Sequence, residues 1–216
     1  GYGPEGESQY GPDLNALATD ASDASGTGYY SARQGNYVAP ILNWILGRMP
    51  ILPRIVNPSD AAFEADSSRV GFKGALGAGA GDNAAAGFGV GAVNGDVVVS
   101  LGTSGTVFAV TDVATTDESG TIAGFASASG SYLPLVCTLN AARVLDSFCK
   151  LLEVDHNGLG QLALQAEPGS GGVVLLPYFE GERTPNLPDA KASIQGLTLQ
   201  NNTRANVARA AIEGML

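Results

Sequence analysis

Metal-binding and disulfide chemistry are short of raw material in this sequence. It holds one histidine, His156, and two cysteines, Cys137 and Cys149, each set among apolar residues in LVCTL and SFCKL. A zinc site needs a cluster of such ligands, and a disulfide scaffold needs several cysteines at framework spacing. Neither is available, so both thiols read as free and buried, in a reducing compartment. Basic residues are scarce too, with 11 Lys and Arg against 21 Asp and Glu and a net charge of −10. A nucleic-acid surface requires clustered cations to displace counter-ions from phosphate, so that class is excluded. No apolar run approaches the about 20 residues of a membrane span, and no membrane partner is expected. The opening GYGPEGESQYGPD has neither the basic start nor the apolar core of a signal peptide. The expectation is a soluble, cytoplasmic protein. Because it opens on Gly1 and not on methionine, it reads as a piece of something longer.

What is present in quantity is glycine. With 30 glycines, 44% hydrophobic residues and 15% charged residues among 216, the chain is globular and rich in tight turns. The densest stretch, GAGAGDNAAAGFGVGAVNGDVVVSLGTSGTVF from Gly77 to Phe108, holds two glycine-rich turns. Glycine clusters bury little apolar area and cost backbone entropy on ordering, so they mark positive φ or close approach of the backbone to something else. The first turn presents Asp82 followed by Asn83; the second is Gly102-Thr103-Ser104-Gly105, flanked by β-branched residues.

Taken in order, residues 1–18 read as a loop, and Thr19 to Ser31 as a turn followed by a short strand. Asp20 and Asp23 invite a reading as a catalytic carboxylate pair, but Asp, Ser and Thr commonly cap turns through their own backbone, and that reading is preferred. Tyr37 to Leu46 spaces Val38, Ile41, Leu42, Ile45 and Leu46 as a helical stripe, with Pro40 in the first turn and Gly47 placed to end it. Trp44 is expected in the core. MPILPRIVNPSD, with three prolines, runs extended. Phe63 to Val70 has no clear period. A helix starts near Asp82 and Asn83, where its dipole favours a carboxylate. Asn94-Gly95 is a turn, and Asp96–Leu101 with Thr106–Val110 forms a hairpin. Strands are expected at Ile122–Ala126, Tyr132–Val136, Val173–Leu176 (buried) and Leu197–Gln200. Leu139–Leu152 is an amphipathic helix burying Val144, Leu145, Phe148, Leu151 and Leu152, capped by Thr138 or Asn140. His156–Ala166 is a short helix with His156 on the surface, PYFEGERTP an irregular charged loop, and Thr203–Leu216 a helix capped by Thr203. Helices mixed with hairpin strands make an α/β class containing antiparallel strands.

Three familiar chemistries fail on spacing. No lysine completes a G-x-x-x-x-G-K-[ST] phosphate loop. Gly79-Ala80-Gly81-Asp82-Asn83-Ala84 fits G-x-G-x-x-A, but it would bring an acid against a pyrophosphate. Gly102-Thr103-Ser104-Gly105-Thr106 has its second glycine one place too early for a nucleophile elbow. An acid beside an amide, with a turn whose N–H groups and hydroxyls suit phosphate, fits phosphoryl transfer to an alcohol. In that chemistry a carboxylate takes the hydroxyl proton and fixed donors stabilise the transferred group. A glycine-rich fold without catalysis remains the alternative.

These same residues resemble the FGGY carbohydrate kinases, and most of all their D-xylulokinase branch. The similarity is carried by GAGAGDNAAAGFGVGAV, VSLGTSGTVFAV, TDASDASGTGYYS, CTLNAARVLD, LLPYFEGERTPNLPDA and SIQGLTLQNNTRANVARAAIE, in the family's order. The resemblance implies an actin-like ATPase (ribonuclease H-like) fold. It also implies ATP-dependent phosphorylation of D-xylulose, with Mg2+ as the cofactor of ATP. By that resemblance Asp82 is the general base, Asn83 contacts the sugar, Gly102, Thr103, Ser104 and Gly105 bind phosphate, and Asn140-Ala141 border the nucleotide. Asp82 and the Thr103 turn are expected on opposite walls of a cleft. Asp23 and Gly26-Thr27 match a motif read as structural, and the Glu182-Arg183 loop has no role assigned. Dimers are common among such kinases, and the sequence itself carries no signal for or against a homodimer.

The departures are as informative. The family's opening D-x-G-T phosphate loop, whose aspartate helps hold magnesium, has no counterpart, and neither has its late glycine-rich adenosine turn. The resemblance therefore places residues 1–84 as the tail of the sugar-binding domain and 85–216 as the first half of the nucleotide-binding domain. The alternatives are another sugar or polyol kinase of the family, of ribulokinase or glycerol kinase type, or a nucleotide-binding fragment without activity.

Overall fold

A computed structural model of the chain describes residue 14, residues 17–65, residue 68 and residues 71–216. The loop expected over 1–18 lies almost wholly outside these. The chain forms two units, Gly1–Val98 with Phe108–Leu135, and Val99–Val107 with Val136–Leu216.

In the first unit, β1 (Ala18–Asp20) leads straight into α1 (Ala21–Ser25). Asp20 caps that helix, its carboxylate accepting the N–H groups of Ser22 at 2.8 Å and Asp23 at 3.1 Å. The capping role expected of this acidic run is therefore present, the expected turn being a single turn of helix. β2 (Tyr30–Ser31) and β3 (Asn36–Tyr37) pair antiparallel. α2 (Ala39–Leu46) carries Pro40 in its first turn and ends at Gly47, whose φ of 65° is the left-handed conformation that costs glycine nothing. The apolar stripe on α2 is not a buried face: Leu42 is sealed, but Trp44 is 85% exposed and Ile45 58%. Helical spacing alone predicts which residues share a side, and not whether anything packs on it.

The proline-rich segment does run extended and supplies β4 (Arg54–Val56), parallel to β1 with Thr19 opposite Ile55. β5 (Ala61–Glu64) and β6 (Ala75–Gly77) pair antiparallel across the stretch without a clear period. α3 (Asp82–Gly89) follows. Gly95, in the Asn94-Gly95 turn, donates its N–H to Val110 at 2.9 Å.

β7 (Val97–Leu101), β8 (Gly105–Ala109), β9 (Ala123–Ala126) and β10 (Tyr132–Thr138) make one sheet in the order β7-β8-β10-β9. The hairpin between β7 and β8 is present as expected, with Gly105 already inside the second strand. Phe108, Leu133 and Leu135 are the sealed apolar side chains of β8 and β10.

The second unit gathers α4 (Ala142–Leu152), α5 (His156–Ala163), β11 (Val174–Leu176), β12 (Ser193–Gln195) and α6 (Arg204–Met215). Its core is Val144, Phe148, Cys149, Leu159, Ala163, Val173, Leu175, Ala208, Ala210 and Ala211. The alanines of α6 let that helix approach closely. Thr203 caps it as expected, accepting the N–H of Asn206 at 3.1 Å.

Four expectations need correction here. Leu151 of α4 is 65% exposed, outside the buried stripe. β11 is buried on one face only, with Leu175 inside and Val174 61% exposed. Residues 197–200 are not a strand; Asn201 accepts the N–H of Thr198 at 2.7 Å and turns the chain, while the pairing partner of β11 is the earlier β12. Both thiols are free, but only Cys149 is buried and Cys137 is partly exposed.

Candidate active site

The acid singled out by its glycine setting sits at the first position of α3. Gly81 caps that helix in an extended conformation, φ −63° and ψ 157°, and supplies no side chain to bond the free N–H groups. Gly81 is itself held from a distance. Its N–H donates to the hydroxyl of Ser22 at 2.9 Å, and the same hydroxyl donates to the buried carboxylate of Asp20. The Asp20–Ser22 turn thus anchors the start of the helix that carries Asp82.

Asp82 is exposed. Its Oδ1 accepts the backbone N–H of Asn83 at 2.8 Å and the Asn83 side-chain amide at 3.2 Å. Its Oδ2 accepts no hydrogen bond from the described residues, and no basic side chain among them pairs with it. One oxygen is therefore engaged in orienting the carboxylate and the other is unengaged by the described residues.

In the second unit, Gly102, Thr103 and Ser104 form an exposed turn closed by Gly102 N–H donating to Ser104 O at 3.0 Å. The hydroxyls of Thr103 and Ser104 bond to nothing among the described residues. Gly105 is buried, because a Cβ there would lie 2.9 Å from Thr138 Cγ2 and 3.3 Å from Ala141 Cβ. Ala142 N–H donates to Gly102 O at 3.0 Å, so the turn rests on the segment from Thr138 to Ala142. Small residues at both ends and free hydroxyls at the tip suit a group whose oxygens need several donors at close range.

Neither Thr138 nor Asn140 caps α4; the capping position is Ala141, without a side-chain bond. Both are committed elsewhere. Asn140 is buried, its side-chain amide donating to Gly181 O at 2.8 Å and to Glu182 at 3.0 Å while its oxygen accepts Phe179 N–H at 3.1 Å. Ala141 is fully buried. Glu182, 3% exposed, also accepts the Thr138 hydroxyl at 2.7 Å and the N–H groups of Leu139 at 3.0 Å and Arg183 at 2.6 Å. Burial pushes its carboxyl up, but the bonds from Thr138, Asn140, Leu139 and Arg183 outweigh burial and hold it below the usual carboxylate range.

Sequence reasoning left Glu182 without a role and took Asp20 for a local cap alone. The one hint for Glu182 was an acid beside Gly181 in the charged PYFEGERTP loop. His156 is on the surface, 2.9 Å from Asp146, in keeping with its expected place. No group of three or more metal-ligating side chains occurs among the described residues.

The mixed helices and strands carry the actin-like ATPase fold of sugar kinases. The xylulose kinase from Bifidobacterium adolescentis superposes with a TM-score of 0.84 at 42% identity, covering 99% of this chain and 46% of that one. The model of the FGGY family of carbohydrate kinases, C-terminal domain, matches residues 97–216, and the chain belongs to that family. The xylulose kinase of Streptomyces rubiginosus is 44% identical over 199 residues, 91% of this chain and 40% of that protein. That of Haemophilus influenzae is 35% identical over 210 residues, 91% of this chain and 42% of that protein. The chain thus spans about two fifths of the length of these curated relatives.

Proposed function

We propose that this chain supplies the general base and part of the phosphate site of an ATP-dependent kinase that converts D-xylulose to D-xylulose 5-phosphate. Residues 1–84 are read as the tail of the sugar-binding domain and residues 85–216 as the first half of the nucleotide-binding domain. The observation that carries the reading is the vacant Oδ2 of an exposed Asp82 at a helix start, in a chain 44% identical to a xylulose kinase.

In the proposed reaction, a sugar hydroxyl oxygen attacks the γ-phosphorus of ATP and the bond to the bridging oxygen of ADP breaks. The hydroxyl proton passes to Asp82 Oδ2 and from there to solvent. Asn83 steadies both the carboxylate and the sugar. The N–H groups of Gly102 to Gly105 and the hydroxyls of Thr103 and Ser104 hold phosphate oxygens, and Asn140-Ala141 border the nucleotide. When bound with ATP, Mg2+ would neutralise charge on the phosphates, and no group of three or more metal-ligating side chains among the described residues would hold it. The exposed hydroxyls of Thr103 and Ser104, which bond to nothing among the described residues, fit a phosphate group. The reading includes a cytoplasmic setting and a homodimer; among the described residues no helix is long and apolar enough to cross a membrane.

A coupled assay of ADP release with D-xylulose, D-ribulose and glycerol tests this on the full-length protein that carries these residues, since the isolated piece is expected to be inactive. D-xylulose should give the highest kcat/KM. A higher value for either of the others would reassign the substrate, and release with none of them would leave a nucleotide-binding protein without kinase activity.

A further inference from the structure

Glu182 is a buried carboxylate with no cation to balance it. Among the described residues no lysine, arginine or histidine pairs with it. Its charge is met instead by converging dipoles. Oε2 takes the Thr138 hydroxyl and the Asn140 amide, and Oε1 takes the N–H groups of Leu139, Arg183 and Thr184. Thr138, Leu139 and Asn140 are consecutive, and they lie more than 40 positions from Glu182 in sequence. A loop acid thus holds three successive residues at and just past the end of β10, Thr138 and Asn140 by their side chains and Leu139 by its backbone N–H.

Those residues are the floor under the Gly102–Gly105 turn. Thr138 and Ala141 close on Gly105, and Ala142 holds Gly102 through its carbonyl. Asn140, bound on both sides of its amide, has no side-chain donor left for a ligand and ties the floor to the segment from Phe179 to Glu182. Buried acids are costly unless fully hydrogen-bonded, and this one is satisfied only in the observed arrangement of the floor.

We propose that Glu182 is a positioning residue for nucleotide phosphate: through Thr138, Leu139 and Asn140 it sets the conformation of the turn from Gly102 to Gly105. The proposal deepens, and rests on, the reading of that turn as the phosphate site. Charge at Glu182 is what orders the donors, so an isosteric neutral amide keeps the volume and loses the fit, since its NH2 group faces N–H and amide donors.

The test uses the full-length protein that carries these residues and compares the parent with Glu182→Gln, Thr138→Val and Leu159→Val, the last loosening the core of the same unit away from the turn. Hydrogen exchange at the amides of Gly102 and Ala142 is read without ligand, and Mg-ATP affinity by calorimetry. The expected result is faster exchange at both amides and ATP affinity weaker by about tenfold or more in Glu182→Gln, with Thr138→Val in the same direction. Leu159→Val should lower the melting temperature and leave both readouts near parent. If Glu182→Gln fails to fold, Thr138→Val carries the comparison. Unchanged exchange in the folded variants overturns the proposal. Faster exchange with unchanged ATP affinity also overturns it, reducing Glu182 to a structural part. A full-length parent that exchanges as expected but binds no Mg-ATP defeats the phosphate reading of the turn and the nucleotide role with it, while the mechanical link stands.

Discussion

Ser22 and Gly81, 59 positions apart, are joined by a hydrogen bond from the Gly81 N–H to the Ser22 hydroxyl at 2.9 Å. That bond ties the acidic turn at the end of β1 to the residue before Asp82. Replacing Ser22 by Ala removes the acceptor of one helix-start N–H and one donor to the buried Asp20. The expected cost is about 1 kcal/mol of stability, together with a lower kcat, since the base would be less well placed. Denaturant unfolding and kinetics check the two effects separately; loss of stability with kcat intact would make the bond purely structural.

Asp82→Asn keeps the shape of the helix start and removes the proton acceptor. In the protein that carries these residues, turnover should fall by about 10²–10⁴-fold, with little change in ATP affinity. Steady-state kinetics paired with nucleotide titration will show it. Near-parent turnover would take Asp82 out of the base role.

The turn at Thr103 is expected to act on the other substrate. Thr103→Ala combined with Ser104→Ala removes two exposed hydroxyls that bond to nothing among the described residues, so the melting temperature should hardly move. The KM for ATP should rise before kcat changes. An unaltered ATP saturation curve would assign the hairpin to structure alone.

Gly105→Ala should be destabilising for a different reason. Its new methyl would meet Thr138 Cγ2 at 2.9 Å, and Thr138 is not free to move away, because Glu182 holds its hydroxyl. Overpacking of this kind costs about 1–3 kcal/mol. Thermal unfolding of the Gly105→Ala chain is the measurement, and a parent-like transition would show that the floor can yield.

Acid should expose the contribution of two carboxyls. Glu182 is held low because its hydrogen bonds outweigh burial, and Glu213 by Arg209 first and then by the Gly169 N–H. A carboxyl lower in the folded than in the unfolded chain adds stability above its ordinary value. That stability is lost as pH falls through the lowered folded value. Between about pH 7 and about pH 3, the melting temperature of the parent should drop more steeply than that of Glu182→Gln. Parallel curves would mean the carboxylate contributes nothing.

What could be read without coordinates follows the range of each interaction. Thr203 as a cap, the Asn94-Gly95 turn, the hairpin around Thr103 and the end of α2 at Gly47 depend on a few neighbouring residues, and the amino acids specify them. Asp82 stood out for the same reason, as an acid in a run of glycines. Trp44 and Leu151 misled, because a periodic stripe says which residues share a face but not what covers it. The 197–200 segment misled because its side chains favour a strand as much as the turn that Asn201 makes.

Sequence alone determined the local grammar of this chain, its family likeness and the residue types offered for proton and phosphate chemistry, since each is carried by short-range preferences and motif order. Tertiary structure alone decided that Ser22 holds the helix start before Asp82 and that Glu182 lies sealed beneath the Thr103 turn. Those outcomes depend on groups 40 or more positions apart meeting at hydrogen-bond distance, and only the folded backbone sets that meeting.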